Sequence, residues 1–125
     1  VASGGGRPIL SIFAGTPRPV PIAISMMERH PLGAQAFMPL SDHEWLVVVA
    51  PTNADDSAPD FDGLRCFRAR GDQGVTYAPN VWHHPLLVLQ PQDFLIADRA
   101  GPKGEIGNPN LQEHWEDAPV AVVAV

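Results

Sequence analysis

The sequence predicts an all-β fold, a barrel or double-sheet sandwich of short antiparallel strands, built as one domain over residues 1–125. Fourteen prolines and eleven glycines argue against long helices. Roughly eight or nine short apolar runs, rich in β-branched residues and separated by turn residues, are typical of strands. With 45% hydrophobic residues, the chain has enough apolar material for one core.

The first half of the chain alternates apolar runs with turns. Residues 1–8, which include a glycine run, are predicted to be a flexible lead-in. Three prolines in residues 15–21 predict a rigid extended connector. Strands are predicted at residues 8–14, 22–28, 35–40 and 44–50.

The second half begins with an acidic loop at residues 51–63. Its aspartates predict a solvated surface loop, because the spacing and closing glutamate of an EF-hand are absent. Residues 107–116 are predicted to hold one helical turn. Further strands are predicted at residues 64–69, 75–77, 86–89 and 94–97, and the segment 74–99 also carries a histidine pair. Residues 120–125 are predicted to be a last strand or a loose apolar tail.

Charge and composition exclude several classes of partner. The net charge is −6 and no basic cluster is present, which argues against nucleic acid and anionic membranes as partners. No apolar run approaches the roughly 20 residues that span a bilayer. The single cysteine, Cys66, excludes an intramolecular disulfide and fits a reducing compartment, so we expect a cytoplasmic protein.

His83 and His84 stand side by side between Trp82 and Pro85. Since strand residues alternate between faces, only one of the two can face an interior cavity. Pro85 biases His84 toward an extended conformation. We expect His84 to face inward, which turns His83 away.

Polar residues also interrupt the apolar run at residues 22–28. Glu28 and His30 lie two apart and so share a strand face, and a bend at Pro31 to Gly33 brings Gln35 back toward them. The spacing Glu28-x-His30-x4-Gln35 resembles the first cupin motif, with Glu for a usual His and Gln for the usual Glu. The stretch Pro79 to His84 resembles the second motif, with Val81 in place of Gly.

A narrower resemblance covers roughly residues 9–116. The blocks Glu28-Arg-His-Pro-Leu-Gly-Ala-Gln-Ala-Phe-Met-Pro-Leu40, Glu44 to Ala50, Gly74-Val-Thr-Tyr-Ala-Pro-Asn-Val-Trp-His-His-Pro-Leu86 and Asp93 to Arg99 are similar to the ureidoglycolate lyase family. The resemblance implies a cupin barrel, a homodimer and a carbon–nitrogen lyase that splits ureidoglycolate into glyoxylate and urea in allantoin breakdown, a branch of purine metabolism. The family usually carries a further N-terminal segment, so more chain is expected before Val1.

The chemistry of that reaction assigns roles to the motif residues. We expect catalysis from His84, His30, Gln35 and Glu28, with His84 moving the proton because imidazole titrates near neutral pH. The same four residues are candidate ligands for nickel, zinc or manganese, while a metal-free site stays open. Candidate substrate contacts are Arg99, which suits a carboxylate, with Asn80, Tyr77, Lys103 and His83.

Two other functions remain open at this stage. His30, His84 and Glu28 could form the facial triad of an iron-dependent dioxygenase, another class of cupin enzyme. A non-enzymatic cupin that binds a small acid is the third interpretation, because a fold does not fix a function.

Overall fold

The computed structural model describes residues 2–125, in which regular structure is almost entirely β. Its one helical element is a 3-10 turn at Phe61–Gly63. The strands are β1 (Arg7–Gly15), β2 (Ile22–Ile24), β3 (Met26–Arg29), β4 (Gln35–Pro39), β5 (Trp45–Ala50), β6 (Arg65–Ala69), β7 (Val75–Tyr77), β8 (Trp82–His83), β9 (Leu87–Val88), β10 (Gln92–Ala100), β11 (Gln112–Trp115) and β12 (Ala121–Val123). Within residues 2–125, no helix is both long and apolar enough to span a membrane.

Two antiparallel sheets form the body of the fold. The smaller sheet has the strand order β1-β10-β4-β7, and the larger has β11-β3-β8-β5-β6, with β9 also pairing with β5. Strands β2 and β12 form a separate two-stranded sheet. The prediction of an all-β fold of short antiparallel strands is therefore confirmed, and the arrangement is consistent with a cupin-type β fold.

The two main sheets face each other across an aromatic core. Phe37 and Phe94 from the smaller sheet meet Trp45 from the larger one, with ring centroids 6.5 Å and 5.0 Å from the indole in edge-on or tilted geometry. Aromatic pairs favour such arrangements because ring edges are positive and ring faces negative. This cluster marks which strand positions point into the barrel.

A second apolar layer covers the opposite face of the larger sheet. Met27, Val48 and Trp82 pack there with Ile24 and the small β2–β12 sheet. Because Val47 points into the barrel and Val48 into this second layer, strand β5 is buried on both faces. That double burial explains why the run 44–50 is continuously apolar instead of alternating.

Three predictions about elements need correction. The run 22–28 is two strands, because β2 pairs with β12 whereas β3 pairs with β11 and β8. Residues 107–116 contain strand β11 and no helical turn, since the edge of β3 offers a ladder of backbone partners. The histidine-bearing run is broken into the two-residue strands β8 and β9.

The predicted lead-in is partly ordered. Strand β1 already begins at Arg7, and the Ser3 N–H donates a hydrogen bond to the Leu32 carbonyl at 2.7 Å. The Arg99 side chain donates to the Ser3 carbonyl at 2.8 Å. Val1 lies outside the described residues. Residues 3–8 are therefore fixed against the barrel, contrary to the expectation of a flexible segment.

Candidate active site

The pairing of β3 with β8 places a carboxylate beside two imidazoles. Glu28 lies directly opposite His83 in the antiparallel register, so both side chains point to the same face of the sheet. His30 follows Glu28 by two residues and joins them. Glu28 Oε1 lies 3.7 Å from His83 Nε2 and 4.0 Å from His30 Nε2. The potential ligand atoms of all three residues lie within 4.8 Å of one another.

Backbone carbonyls fix how both imidazoles carry their protons. His30 Nδ1 lies 2.9 Å from the Asn110 carbonyl oxygen, and His83 Nδ1 lies 2.9 Å from that of Val81. A carbonyl can only accept, so Nδ1 must carry the hydrogen in each ring. Each neutral ring then has its lone pair on Nε2, and both Nε2 atoms are buried without a hydrogen-bond partner within residues 2–125.

Burial determines the charges of the cluster. It lowers the pKa of His83 to about 4, and the neighbouring His30 and His84 add to this by repelling a further positive charge. Burial also raises the pKa of Glu28, although attraction to His30 opposes the change. His83 is therefore a neutral imidazole at physiological pH, with a carboxyl group whose proton is bound more tightly than usual beside it.

Tyr77 forms one wall of this cluster. Its ring stacks on His83 with centroids 4.0 Å apart and planes 8° from parallel. Burial, followed by repulsion from Glu28, raises the pKa of the Tyr77 phenol, which keeps it protonated. The structure thus brings Tyr77, a predicted substrate contact, next to the cluster, and its stacking limits rotation of the His83 ring.

A cavity of about 300 Å³ is lined by one member of the cluster, Glu28. Glu28 and Gln35 both line it, together with Asp98 and the apolar side chains of Phe37 and Ile96. A mostly apolar wall with a few convergent polar groups is the usual character of a small-molecule site. We therefore take this cavity as the candidate active site.

A larger cavity of about 610 Å³ lies between β6 and β7, beyond Tyr77. Its lining is largely apolar, with Val47, Phe67 and Val75 among its members. Glu28, His30 and His83 do not line it. Size alone therefore does not identify the active site, because Glu28 of the cluster lines the smaller cavity, with Gln35 and Asp98.

The expectation that His84 faces the cavity and His83 turns away is wrong. His83 is the residue paired with Glu28, and alternation therefore directs His84 to the opposite face. The His84 Nδ1 lies 2.8 Å from the Pro85 carbonyl, and its backbone N–H donates to the Val48 carbonyl. Burial, with Arg18 nearby, lowers the pKa of His84. The motif spacing located the histidine pair but selected the wrong member.

Three predicted substrate contacts lie elsewhere. Arg99 donates to both Glu105 carboxylate oxygens, at 2.7 and 3.2 Å, which leaves little of its guanidinium for a substrate carboxylate. Asn80 is exposed in the left-handed region at φ 68° and lines a different cavity. Lys103 is exposed in the turn after β10 and does not line the 300 Å³ cavity.

Asp98 is a site residue that the sequence reasoning missed. It lines the candidate active site, and its Oδ2 accepts a hydrogen bond from Gln35 Nε2 at 3.3 Å. A signal was present in the sequence, because Asp98 follows Phe94 and Ile96 at intervals of two and so shares their inward face.

The low pKa of His83 predicts that acid destabilises the metal-free protein. Unfolded His83 has a pKa near 6.5 and folded His83 one of about 4, so only the unfolded chain binds this proton between those values. The contribution of His83 to the free energy of unfolding is fully present above pH 6.5. As the pH drops toward 4, the free energy of unfolding falls by about 3 kcal/mol through this residue. Urea unfolding of chelator-treated protein at a series of pH values measures it.

The matched variants for this measurement are His83→Gln and His43→Gln. We expect the first to flatten the loss of stability between pH 6.5 and 4, while the second keeps the wild-type slope. Glu28 titrates in every one of these proteins, so the comparison isolates the imidazole. An unchanged slope in His83→Gln would contradict the assignment.

Comparison with known proteins identifies the family of the chain. The protein-family model described as ureidoglycolate lyase matches residues 1–123. The chain is 46% identical over 128 residues to a ureidoglycolate lyase of Burkholderia mallei (strain NCTC 10229), covering 99% of this chain and 73% of that protein. It is 52% identical over 122 residues to one from Agrobacterium fabrum, covering 97% and 68%. The chain belongs to the ureidoglycolate lyase family.

Proposed function

We propose that this protein cleaves ureidoglycolate into glyoxylate and urea, a carbon–nitrogen lyase reaction in allantoin degradation. The relatives named above carry the name of this activity. The observation that carries the proposal is the cluster of Glu28, His30 and His83, in which two buried Nε2 atoms without partners lie beside a carboxylate that lines a cavity of small-molecule size.

The reaction requires one proton to leave an oxygen and one to reach a nitrogen. The substrate carries a hydroxyl and a urea nitrogen on the same carbon. Loss of the hydroxyl proton forms the carbon–oxygen double bond, the carbon–nitrogen bond breaks, and its electrons take up a proton on the departing urea. General acid–base groups typically contribute about 10²–10⁴-fold each to such steps.

Glu28 is the residue we assign to this proton transfer. Its Oε1 approaches both imidazoles, which leaves Oε2 to take the hydroxyl proton and return it to the urea nitrogen. Burial raises the pKa of Glu28, which makes its carboxylate a stronger base and brings it nearer to the working pH. The apolar side chains of Phe37 and Ile96 in the cavity wall limit the access of water to the reacting groups.

We also propose a divalent metal ion, nickel, zinc or manganese, held by Glu28, His30 and His83 with the Gln35 oxygen as a fourth ligand. The residues fit such an ion, because both Nε2 lone pairs are free and both Nδ1 atoms are held by carbonyls, the usual second contact of metal-binding histidines. Imidazole and carboxylate suit these metals. When bound, the ion would polarise the substrate oxygens and lower the pKa of the hydroxyl.

The two neighbouring histidines provide a matched test of the active site. We expect His83→Asn to lower kcat for urea release by at least about 100-fold, because it removes an inward-facing Nε2. His84→Asn should stay within about 10-fold of wild type, because this ring lies on the opposite face of the sheet. Circular dichroism checks that both variants fold. Equal losses of kcat in the two variants, or no urea release by the wild type, would contradict the proposal. Iron-dependent oxygen consumption by the wild type would instead favour a dioxygenase.

Removal of metal tests the second proposal. We expect dialysis against a chelator to lower activity by at least about 100-fold, and one equivalent of nickel, zinc or manganese per chain to restore it. Metal content is measured by elemental analysis, and His43→Ala should retain one equivalent. Full activity in protein that contains no metal would contradict this assignment.

We propose that two copies associate through the outer face of the smaller sheet. In that face the exposed Leu10 and Ile12 of edge strand β1 and the exposed Met38 of β4 lie on either side of β10, with Ile12, Leu95 and Met38 in one register row. An apolar sheet face at an unpaired edge favours association.

Sedimentation should show a dimer for the wild type and for Ile106→Glu, and a monomer for Ile12→Glu. A monomeric wild type at micromolar concentration would overturn this.

We further propose that the protein works in the cytoplasm. Its single cysteine, Cys66, is free and exposed, which fits a reducing compartment. Cell fractionation measures the location, and recovery from an oxidising compartment would contradict it.

A further inference from the structure

We propose that Asp98 is a positioning residue that fixes which end of the Gln35 amide faces the active-site cavity. The inference rests on the metal site proposed above. Strands β4 and β10 are paired with Ala36 opposite Ala97, so Gln35 and Asp98 are the next residues along the two strands. Both side chains line the 300 Å³ cavity, and Gln35 Nε2 lies 3.3 Å from Asp98 Oδ2.

The two ends of an amide are chemically different, and the carboxylate selects between them. The Asp98 carboxylate offers only acceptors, so it binds the Gln35 NH₂ group and turns the Gln35 oxygen away. Gln35 Oε1 is buried, and within the described part of the chain it has no hydrogen-bond partner. Buried carbonyl oxygens normally have a partner, so an unsatisfied one at a cavity wall points to a ligand site.

The same contact explains why residue 35 is an amide. A glutamate there would place two carboxylates at hydrogen-bond distance, and like charges this close disfavour ionisation of both. Glutamine avoids the repulsion and keeps one oxygen free of Asp98 in a cavity that Glu28 also lines. Asp98 therefore acts through Gln35 and needs no contact with the substrate itself.

Exchanging the two functional groups tests the proposal. In Asp98→Asn the new amide can donate to Gln35 Oε1, so Gln35 can turn its nitrogen toward the cavity. We expect this variant to bind nickel or zinc about 10- to 100-fold more weakly, the usual effect of losing an outer partner of a metal ligand. Gln35→Glu should also weaken binding, because of the paired carboxylates. Titration calorimetry on chelator-treated protein with the metal alone measures this, without substrate turnover.

The double variant Gln35→Glu with Asp98→Asn separates positioning from a general structural role. The amide introduced at position 98 can again donate to residue 35, whose other oxygen faces the cavity, so we expect metal affinity within about 10-fold of wild type. The matched control is Asp93→Asn, which changes an exposed carboxylate on the same strand and should bind metal as the wild type does. Thermal unfolding of each variant monitors the fold.

Three results would overturn the proposal: wild-type affinity in Asp98→Asn, a double variant that binds no better than the weaker single variant, or no metal binding by the wild type. Failure of the lyase assignment is a separate outcome. It would appear as metal binding with no urea release, and the comparison of affinities would still stand.

Discussion

The site depends on two hydrogen bonds from histidine side chains to backbone carbonyls. The Asn110 carbonyl holds His30 Nδ1 and the Val81 carbonyl holds His83 Nδ1, each at 2.9 Å. If either ring carried its hydrogen on Nε2 instead, a donor would face Glu28, and the ring could not act there as a metal ligand or a base. The chemistry of the cluster thus depends on groups that never touch a substrate.

The fold supplies those two carbonyls from different directions. Asn110 is buried just before β11, and β11 reaches it by pairing with β3, the strand that leads into His30. The Asn110 side chain also accepts the Leu32 N–H at 2.7 Å, which holds the turn after His30 in place. Val81 follows Asn80, whose left-handed backbone turns the chain into β8. Strand β11, at the edge of the larger sheet, therefore helps to position the Asn110 carbonyl that binds His30.

Local rules predicted the parts of the site that depend on short-range geometry. The spacing of Glu28 and His30 placed both on one face, and the structure agrees because an extended chain repeats every two residues. The choice between His83 and His84 could not be made this way. It depends on which residue is opposite Glu28, and such pairing is set by contacts far apart in sequence.

The remaining differences have the same physical origin. Arg99 was expected to clamp a carboxylate, and it does so, but the carboxylate belongs to Glu105 in the following loop. Strand β11 was predicted as a helical turn because the free edge of β3 cannot be read from residues 107–116 alone. The all-β class was predictable because proline and glycine content and β-branched runs act locally.

The most direct test of this account is the protonation of the two rings. Long-range ¹⁵N–¹H correlation spectra of the metal-free protein at neutral pH distinguish an Nδ1–H from an Nε2–H imidazole, and variants assign each signal. We expect His30 and His83 both to carry the hydrogen on Nδ1. A hydrogen on Nε2 in either ring would contradict it, because no lone pair would then face Glu28.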